Sequence, residues 1–210
     1  MTEPTAFSPG AFDKADPSPD PLFYAEPRFV AHIDDGAIAA VTEIYLHTLP
    51  PGGVILDLMS SWISHFPEKT AFGRVIGHGM NAEELAANPR LDEWFVQDLN
   101  ANPTLPLASS SADAACLCVS VQYLQQPVAV FREAARVLRP GGPLVVTFSN
   151  RCFPTKAVAI WQALSGEDQQ RLVSVYCSEA GFERIETDYT RRPGNDPIWA
   201  VIGRAGKRHE

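Results

Sequence analysis

The sequence contains no long apolar run and no surplus of basic residues. Its apolar stretches fall short of the roughly 18 residues that a membrane-spanning helix needs, and its N-terminus shows no basic region followed by an apolar core, as a secretory signal would. Acidic side chains outnumber basic ones by 25 to 17, for a formal net charge of −8. This balance argues against unaided nucleic-acid binding, which needs basic side chains to displace counterions. We therefore expect a cytoplasmic protein with neither a membrane nor a nucleic acid as its partner.

Cysteine is also scarce. The four cysteines are Cys116, Cys118, Cys152 and Cys177, and they form no C-x-x-C pair and accompany no histidine cluster. Free thiols in a reducing compartment explain this pattern better than a metal site does. We therefore expect no bound metal.

The composition that is present is typical of a globular protein. Hydrophobic residues make up 45% of the 210 residues and charged residues 20%, which favours one domain with a small appendage. Residues 1–22 are rich in proline and polar side chains and predict a flexible N-terminal tail. Residues 23–50 predict an N-terminal helical segment, with a helix capped by Asp34 or Asp35. Residues 51–205 then form the main domain.

An acid ends the first apolar run of that domain. Residues 54–58 follow a Pro-Pro-Gly-Gly break and contain Asp57, and such a run predicts a strand buried on both faces. A buried carboxylate is costly unless it is paired, and ligands bind at the carboxyl ends of parallel strands. Asp57 therefore either faces a ligand or pairs with nearby backbone N–H groups, and we favour the ligand.

Strands and helices alternate along the rest of the domain. The further strands are predicted at 74–77, 94–99, 114–121, 144–148, 182–188 and 199–203. The helices are predicted near 60–66, 82–87, 128–138, 155–164 and 167–180. This alternation predicts an α/β fold: a Rossmann-like, doubly wound, mostly parallel seven-stranded sheet with an antiparallel edge hairpin.

Four short motifs occur at fixed places in this pattern. The segment Glu-Ala-Ala-Arg-Val-Leu-Arg-Pro-Gly-Gly at 133–142 runs into the fifth strand, and Asp113 precedes the fourth. The triplet Leu-Pro-Leu lies at 105–107, and Ala-Gly-Phe lies at 180–182. Together they resemble class I S-adenosylmethionine-dependent methyltransferases, particularly the small-molecule branch. The resemblance implies methyl transfer to a small-molecule acceptor by a monomer or weak homodimer, with S-adenosyl-L-methionine as cofactor and S-adenosyl-L-homocysteine as product.

The sequence departs from the family at two places. The family loop after the first strand has alternating glycines, which let the backbone approach a ligand, but here the positions hold Met59, Ser61 and Ile63. The serines of this loop stand at a predicted helix start, whose N–H groups suit a carboxylate. The family acid that grips the ribose falls on Gly79. Either His78 or Asn81 replaces it, or Asn81 is only a helix cap.

The resemblance assigns the cofactor site to the carboxyl ends of the first four strands. Its residues are Asp57, Met59, Ser60, Ser61, Gly77, His78, Gly79, Met80, Asn81, Asp98, Leu99, Val119, Ser120 and Tyr123. Of these, Asp98 and Leu99 match the position that meets the adenine.

The resemblance implies that the segment 23–50 forms a lid over the cofactor. The acceptor site is therefore expected to include residues before the N-terminal helix and after the fifth strand, namely Tyr24, Arg28, His32, Asn150 and Arg151. His65 and His78 are the candidate general bases because histidine titrates near neutral pH, although a hydrogen-bonded structural role is the alternative for each. The altered loop also leaves a second hypothesis, a catalytically degenerate module that binds a nucleoside or another partner. A nicotinamide dehydrogenase is disfavoured because no G-x-G-x-x-G follows the first strand.

Overall fold

The computed structural model describes residues 7–191 and 193–206. Within these residues seven strands form one sheet: β1 Val54–Leu58, β2 Arg74–Gly79, β3 Glu93–Val96, β4 Ala114–Cys118, β5 Pro143–Phe148, β6 Phe182–Thr190 and β7 Ile198–Ala205. Their order is β3-β2-β1-β4-β5-β7-β6. The first five strands are parallel, and β7 is antiparallel to both β5 and β6. The predicted fold class, including the edge hairpin, is confirmed.

Helices cover both faces of the sheet. They are α1 Asp20–Phe23, α2 Asp35–Thr48, α3 Ala82–Ala87, α4 Pro127–Val137, α5 Ala159–Gln162 and α6 Gly166–Glu179, with one 3₁₀ turn at Val121–Tyr123. Helix α2 packs on one face, whereas α4 and α6 pack on the other. Because both faces are covered, β1 and β5 are almost entirely buried, as their apolar runs predict. In the described ranges, none of the helices has the length and hydropathy needed to span a bilayer.

Two predicted helix caps are present. The Asp34 carboxylate accepts a hydrogen bond of 2.8 Å from the Ala37 N–H at the start of α2. The Asn81 side-chain oxygen accepts from the N–H groups of Glu83 and Glu84, at 2.9 and 3.1 Å. These bonds satisfy donors that a helix leaves free in its first turn, so the sequence defines both helix starts by itself.

The connection between β1 and β2 contains no helix, which corrects the prediction for residues 60–66. The hydroxyls of Ser60 and Ser64 donate to the Asp57 carboxylate instead, at 2.7 and 2.5 Å. These bonds hold the loop in an irregular path around the buried carboxylate. Consequently, no helix N-terminus is available behind β1 to hold a carboxylate.

The chain before α2 also differs from its predicted form. Residues 1–6 lie outside the described residues, but residues 7–22 pack against the domain. The Asp16 N–H donates to the Thr155 carbonyl and the Ala159 N–H donates to the Asp13 carbonyl, each at 2.9 Å. The ammonium of Lys156, a residue with 0% side-chain exposure, lies 3.1 Å from an Asp16 oxygen. Buried ion pairs thus hold a segment whose apolar content alone predicts a tail.

Candidate functional site

A cavity of about 310 Å³ lies at the carboxyl edge of the sheet. It spans the ends of β1 and β4, which are neighbours in the sheet although two strands separate them in sequence. The crossover connections leave in opposite directions at this point, which is where open α/β sheets bind ligands. The segment between α1 and α2 completes the wall with Tyr24, Arg28 and His32.

Two residues at the cavity have an unusual backbone conformation. Met59 follows β1 with a φ of 56°, and Val119 follows β4 with a φ of 49°. A left-handed conformation costs a non-glycine residue about 1 kcal/mol, and it is particularly rare for a β-branched one. Met59 therefore adopts at this position the kind of conformation for which the family loop uses glycine. Such strain concentrates at functional sites.

Asp57 organises the loop after β1. The side chain is 5% exposed and accepts hydrogen bonds from the hydroxyls of Ser60 and Ser64. The Cys116 thiol donates a weaker bond of 3.5 Å. Burial raises the pKa of Asp57, and the serine hydroxyls oppose that rise because they favour the charged form. The carboxylate therefore lines the cavity and pairs with side-chain hydroxyls, a partner type that neither sequence hypothesis named.

His78 is a structural residue, which corrects its prediction as a general base. Its Nε2 lies 2.9 Å from the Gln97 carbonyl, and its Nδ1 accepts a 3.1 Å hydrogen bond from the Met59 N–H. A neutral ring with the proton on Nε2 satisfies both bonds. Burial lowers the pKa of His78 to about 4. The ring therefore connects the loop after β1 to the chain just after β3 and has no lone pair left to accept a proton.

His65 keeps the properties of a base. Its side chain lines the cavity, and within the described residues its buried Nδ1 has no hydrogen-bond partner. Burial lowers the pKa of His65, so the ring is neutral at neutral pH and can accept a proton. Of the two predicted bases, the geometry leaves this one available.

The ribose position at Gly79 is crowded by the loop. A Cβ atom at Gly79 would lie 2.5 Å from the Ser60 carbonyl oxygen, so an acid cannot stand there unless the loop moves.

The sequence did not indicate Glu84, whose carboxylate lines the cavity nearby. It accepts hydrogen bonds from the Arg28 N–H and the Ser61 hydroxyl. In the sequence, Glu84 was notable only as an acid in the first turn of α3. The helix dipole alone explains an acid at that position.

Asp98 and Leu99 lie at the opposite side of the cavity, after β3. One Asp98 oxygen accepts the Asn100 N–H at 2.9 Å, which folds the chain into a turn. The second oxygen has no hydrogen-bond partner in the part of the chain that is described. Leu99 is 3% exposed and belongs to the hydrophobic core. The pair is available for the adenine role that the resemblance implies.

Aromatic rings form the wall beyond β4 and β5. The Tyr123 hydroxyl accepts a 2.8 Å hydrogen bond from the Phe153 N–H, and the two ring centroids are 5.9 Å apart. Burial raises the pKa of Tyr123 to about 12 and raises that of Tyr24 further. Both phenols are therefore protonated at neutral pH and act as hydrogen-bond donors or apolar surfaces.

The structure brings most of the predicted site residues together. The cavity is lined by Tyr24, Arg28, His32, Asp57, Met59, Ser60, Ser61, His65, His78, Gly79, Met80, Asn81, Asp98, Leu99, Val119, Ser120, Tyr123 and Arg151.

Two predicted residues do not line it. Gly77 lies within β2, where a Cβ would meet the Leu91 side chain at 2.4 Å, and Asn150 is exposed beyond β5.

Asn81 binds the Tyr24 and Ala25 carbonyls as well as capping α3. Its side-chain groups are thus already used, which corrects its proposed substitution for the ribose acid. The further lining residues, which were not among the predicted ones, include Asp20, Tyr45, Ser64, Glu84, Cys152 and Phe153.

Known proteins resemble the chain across this site. Residues 60–146 match the protein family described as "Methyltransferase domain". A malonyl-[acyl-carrier protein] O-methyltransferase of Hahella chejuensis is 36% identical over 92 residues, which are 41% of this chain and 32% of that protein. The chain therefore matches about a third of the length of this curated relative.

Solved structures share the fold at low identity. The [4+2]-cyclase SpnF has a TM-score of 0.62 and 16% identity, with 89% of this chain and 93% of that chain covered. Phosphoethanolamine N-methyltransferase 2 of Haemonchus contortus, solved with S-adenosyl-L-methionine, has a TM-score of 0.59 and 12% identity, with 82% and 53% covered. The family match and the shared fold support the class I S-adenosylmethionine-dependent methyltransferase superfamily, and the resemblance seen in the sequence is confirmed.

Proposed function

We propose that the protein binds S-adenosyl-L-methionine and transfers its methyl group to a small-molecule acceptor. One observation carries the proposal. Four buried side-chain atoms, Arg28 Nη1, Tyr45 Oη, His65 Nδ1 and Ser120 Oγ, lack hydrogen-bond partners within the described residues, and all four residues line the cavity. Buried polar atoms in native proteins are nearly always paired. A polar ligand in this cavity explains why these atoms are not.

The cofactor fits the donors and acceptors of the cavity. Asp98 and Leu99 would hold the adenine, and Glu84 is the cavity-lining carboxylate nearest in sequence to the position that lacks the ribose acid. Bound S-adenosyl-L-methionine supplies a methyl group on a sulfonium cation, for which carboxylates and aromatic faces are suitable neighbours. Tyr24, Tyr123 and Asp57 are the groups of these kinds that line the cavity.

The contribution of the protein is mainly placement. Holding two reactants in line is worth on the order of 7–11 kcal/mol of barrier. The neutral ring of His65 is available to take a proton from an acceptor that must lose one, which contributes about 10²–10⁴-fold in rate. The two cavity tyrosines stay protonated and orient the acceptor.

Calorimetry with S-adenosyl-L-methionine and S-adenosyl-L-homocysteine tests the proposal. We expect Asp98→Ala to weaken both ligands about tenfold, since a hydrogen bond to a charged group contributes roughly 1.5 kcal/mol or more. Asp57→Ala is expected to weaken them further, because Ser60 and Ser64 lose the acceptor that shapes the loop. Glu167→Ala, an exposed carboxylate on α6, is the control and should change nothing. If the wild-type protein binds neither ligand at high micromolar concentration, the proposal is wrong.

The crowded ribose position favours a second candidate, a catalytically degenerate module that binds a nucleoside. The Ser60 carbonyl lies where an acid at Gly79 would need space, and the [4+2]-cyclase SpnF is an example of this fold in another kind of protein. The two candidates differ in turnover. Labelled S-adenosyl-L-methionine incubated with phenols, amines, thiols and acids should give one methylated product for an enzyme, whereas binding without any product supports the module.

A further inference from the structure

In the described ranges the Arg28 guanidinium forms no ion pair, and it lies in the wall of the cavity. Arg28 Nη2 donates a 2.8 Å hydrogen bond to the Phe23 carbonyl, while Nη1 is buried without a partner in the described part of the chain. The group lies 4.6 Å from the Phe23 ring centroid and 5.5 Å from that of Phe153. These rings fix its position and shield it from water, but they do not neutralise its charge.

The carboxylates around Arg28 are already engaged. Glu84 accepts from the Arg28 backbone N–H and from the Ser61 hydroxyl. Asp20 pairs with Lys14 and also accepts from Asn100 at 2.9 Å. The guanidinium charge therefore remains available to a ligand, and a planar group with free N–H donors in a partly dry site suits a carboxylate.

We propose that Arg28 binds the carboxylate of the methyl acceptor, so that the acceptor is a carboxylic acid that becomes methylated on oxygen. This inference rests on the proposed function and names the acceptor class of the same site. The Phe153 ring, over which the guanidinium lies, belongs to the chain after β5, where the sequence predicts acceptor-binding residues. Asp98 and Leu99, the residues assigned to the adenine, follow β3 instead. Arg28 thus lies with the residues on the acceptor side of the cavity.

The chemistry of the cavity agrees with an acceptor that is ionised before it binds. A carboxylic acid has a pKa near 4 in water and is charged at neutral pH, so it needs no general base. A carboxylate oxygen forms the new bond to the methyl carbon while the carbon–sulfur bond breaks and its electron pair stays on sulfur. The sulfonium and carboxylate charges disappear together, and no proton moves. The neutral ester has lost the charge that attracted the acid to Arg28, which favours product release.

Binding measurements test this inference separately from turnover. The probes are 3-phenylpropionate and hexanoate, each compared with its amide, and they are titrated into protein saturated with S-adenosyl-L-homocysteine. We expect each acid to bind at least tenfold more tightly than its amide. Arg28→Met should remove that preference and leave the affinity for S-adenosyl-L-homocysteine within threefold, whereas Arg28→Lys should retain part of the preference. Arg171→Met, which removes an exposed arginine on α6, is the control, and thermal unfolding checks that every variant is folded.

Each alternative result overturns the inference in a recognisable way. Equal binding of acids and amides, or no binding of either, shows that the cavity does not select a carboxylate. A tenfold loss of S-adenosyl-L-homocysteine affinity in Arg28→Met assigns the guanidinium to the cofactor. Labelled methyl transfer that produces ethers or amines and no base-labile ester excludes the acceptor class. If the wild-type protein does not bind S-adenosyl-L-homocysteine at all, the proposed function fails, and titration of the acids into the ligand-free protein still decides whether Arg28 forms a carboxylate site.

Discussion

Replacing Lys156 by methionine tests how the chain before α2 is held over the cavity. The Lys156 ammonium is fully buried and donates to the Ser18 carbonyl at 2.7 Å. It lies 3.1 Å from an Asp16 oxygen and 3.4 Å from an Asp20 oxygen. Methionine has a similar length but no charge, so Lys156→Met removes these interactions without opening a large cavity.

The expected loss follows from the partners left behind. Removing one partner of a buried ion pair costs about 3–5 kcal/mol because a charge stays buried without compensation. Asp20 keeps Lys14 and Asn100, whereas Asp16 is partly exposed and can be hydrated. The lower end of the range, about 3 kcal/mol, is therefore expected for the free energy of unfolding. If residues 8–24 detach locally at a smaller cost, that smaller value limits the measured effect.

Urea denaturation followed by tryptophan fluorescence measures the stability, and limited proteolysis reports detachment of the segment. Lys69→Met is the matched control, since Lys69 is exposed and a surface substitution should change stability by less than about 0.5 kcal/mol. The affinity for S-adenosyl-L-homocysteine should fall with Lys156→Met, because Asp20 and Tyr24 belong to the cavity wall. A loss below 1 kcal/mol with unchanged proteolysis would refute the view that buried ion pairs hold this segment.

Three further predictions concern the loop after β1. Gly79→Ala should cost about 1–3 kcal/mol and weaken cofactor binding, because the added Cβ lies 2.5 Å from the Ser60 carbonyl oxygen. Met59→Gly should cost less than about 1 kcal/mol, since relief of the positive φ offsets the lost packing. Between pH 6.5 and about 4, stability should fall as the pH falls, by about 3 kcal/mol, because unfolded His78 binds a proton that the folded state, with a pKa of about 4, does not accept. Above pH 6.5 this contribution is constant.

Each of these three predictions has a control variant or a matched substitution. Gly141→Ala is the control for Gly79→Ala, because its added Cβ meets nothing within 4 Å and only the φ of 81° opposes the substitution. It should lower the free energy of unfolding by about 1 kcal/mol. An equal loss for Gly79→Ala, together with an intact cofactor affinity, would contradict the crowding. Leu58→Gly, at a fully buried position, should cost several kcal/mol, and a similar loss for Met59→Gly would show that no strain is relieved. His78→Gln should flatten the slope between pH 6.5 and 4, and an unchanged slope would assign it to other groups.

Much of the fold and part of the site could be predicted from local patterns. The buried runs of β1, β4 and β5, the caps at Asp34 and Asn81 and the edge hairpin all depend on residues close together in sequence. The positions of Asp57 and Asp98 at the same sheet edge followed from parallel topology alone.

The remaining parts of the site depend on contacts that are distant in sequence. The Arg28 N–H and the Glu84 carboxylate are 56 residues apart, and the Met59 N–H and the His78 ring are 19 apart. No periodicity or capping rule indicates such bonds, so Glu84 was missed and His78 was given the wrong role.

The sequence by itself determined a seven-stranded α/β sheet, the succession of its strands along the chain and the sheet edge at which the cavity lies, because apolar periodicity and helix caps act over a few residues. The tertiary structure decided how the loop after β1 runs, how residues 7–22 are held and which polar groups of the cavity remain unpaired. Each of these features depends on hydrogen bonds and ion pairs between groups that are distant in sequence. Such groups become neighbours only when the whole chain is folded, so local sequence patterns do not reveal which of them pair.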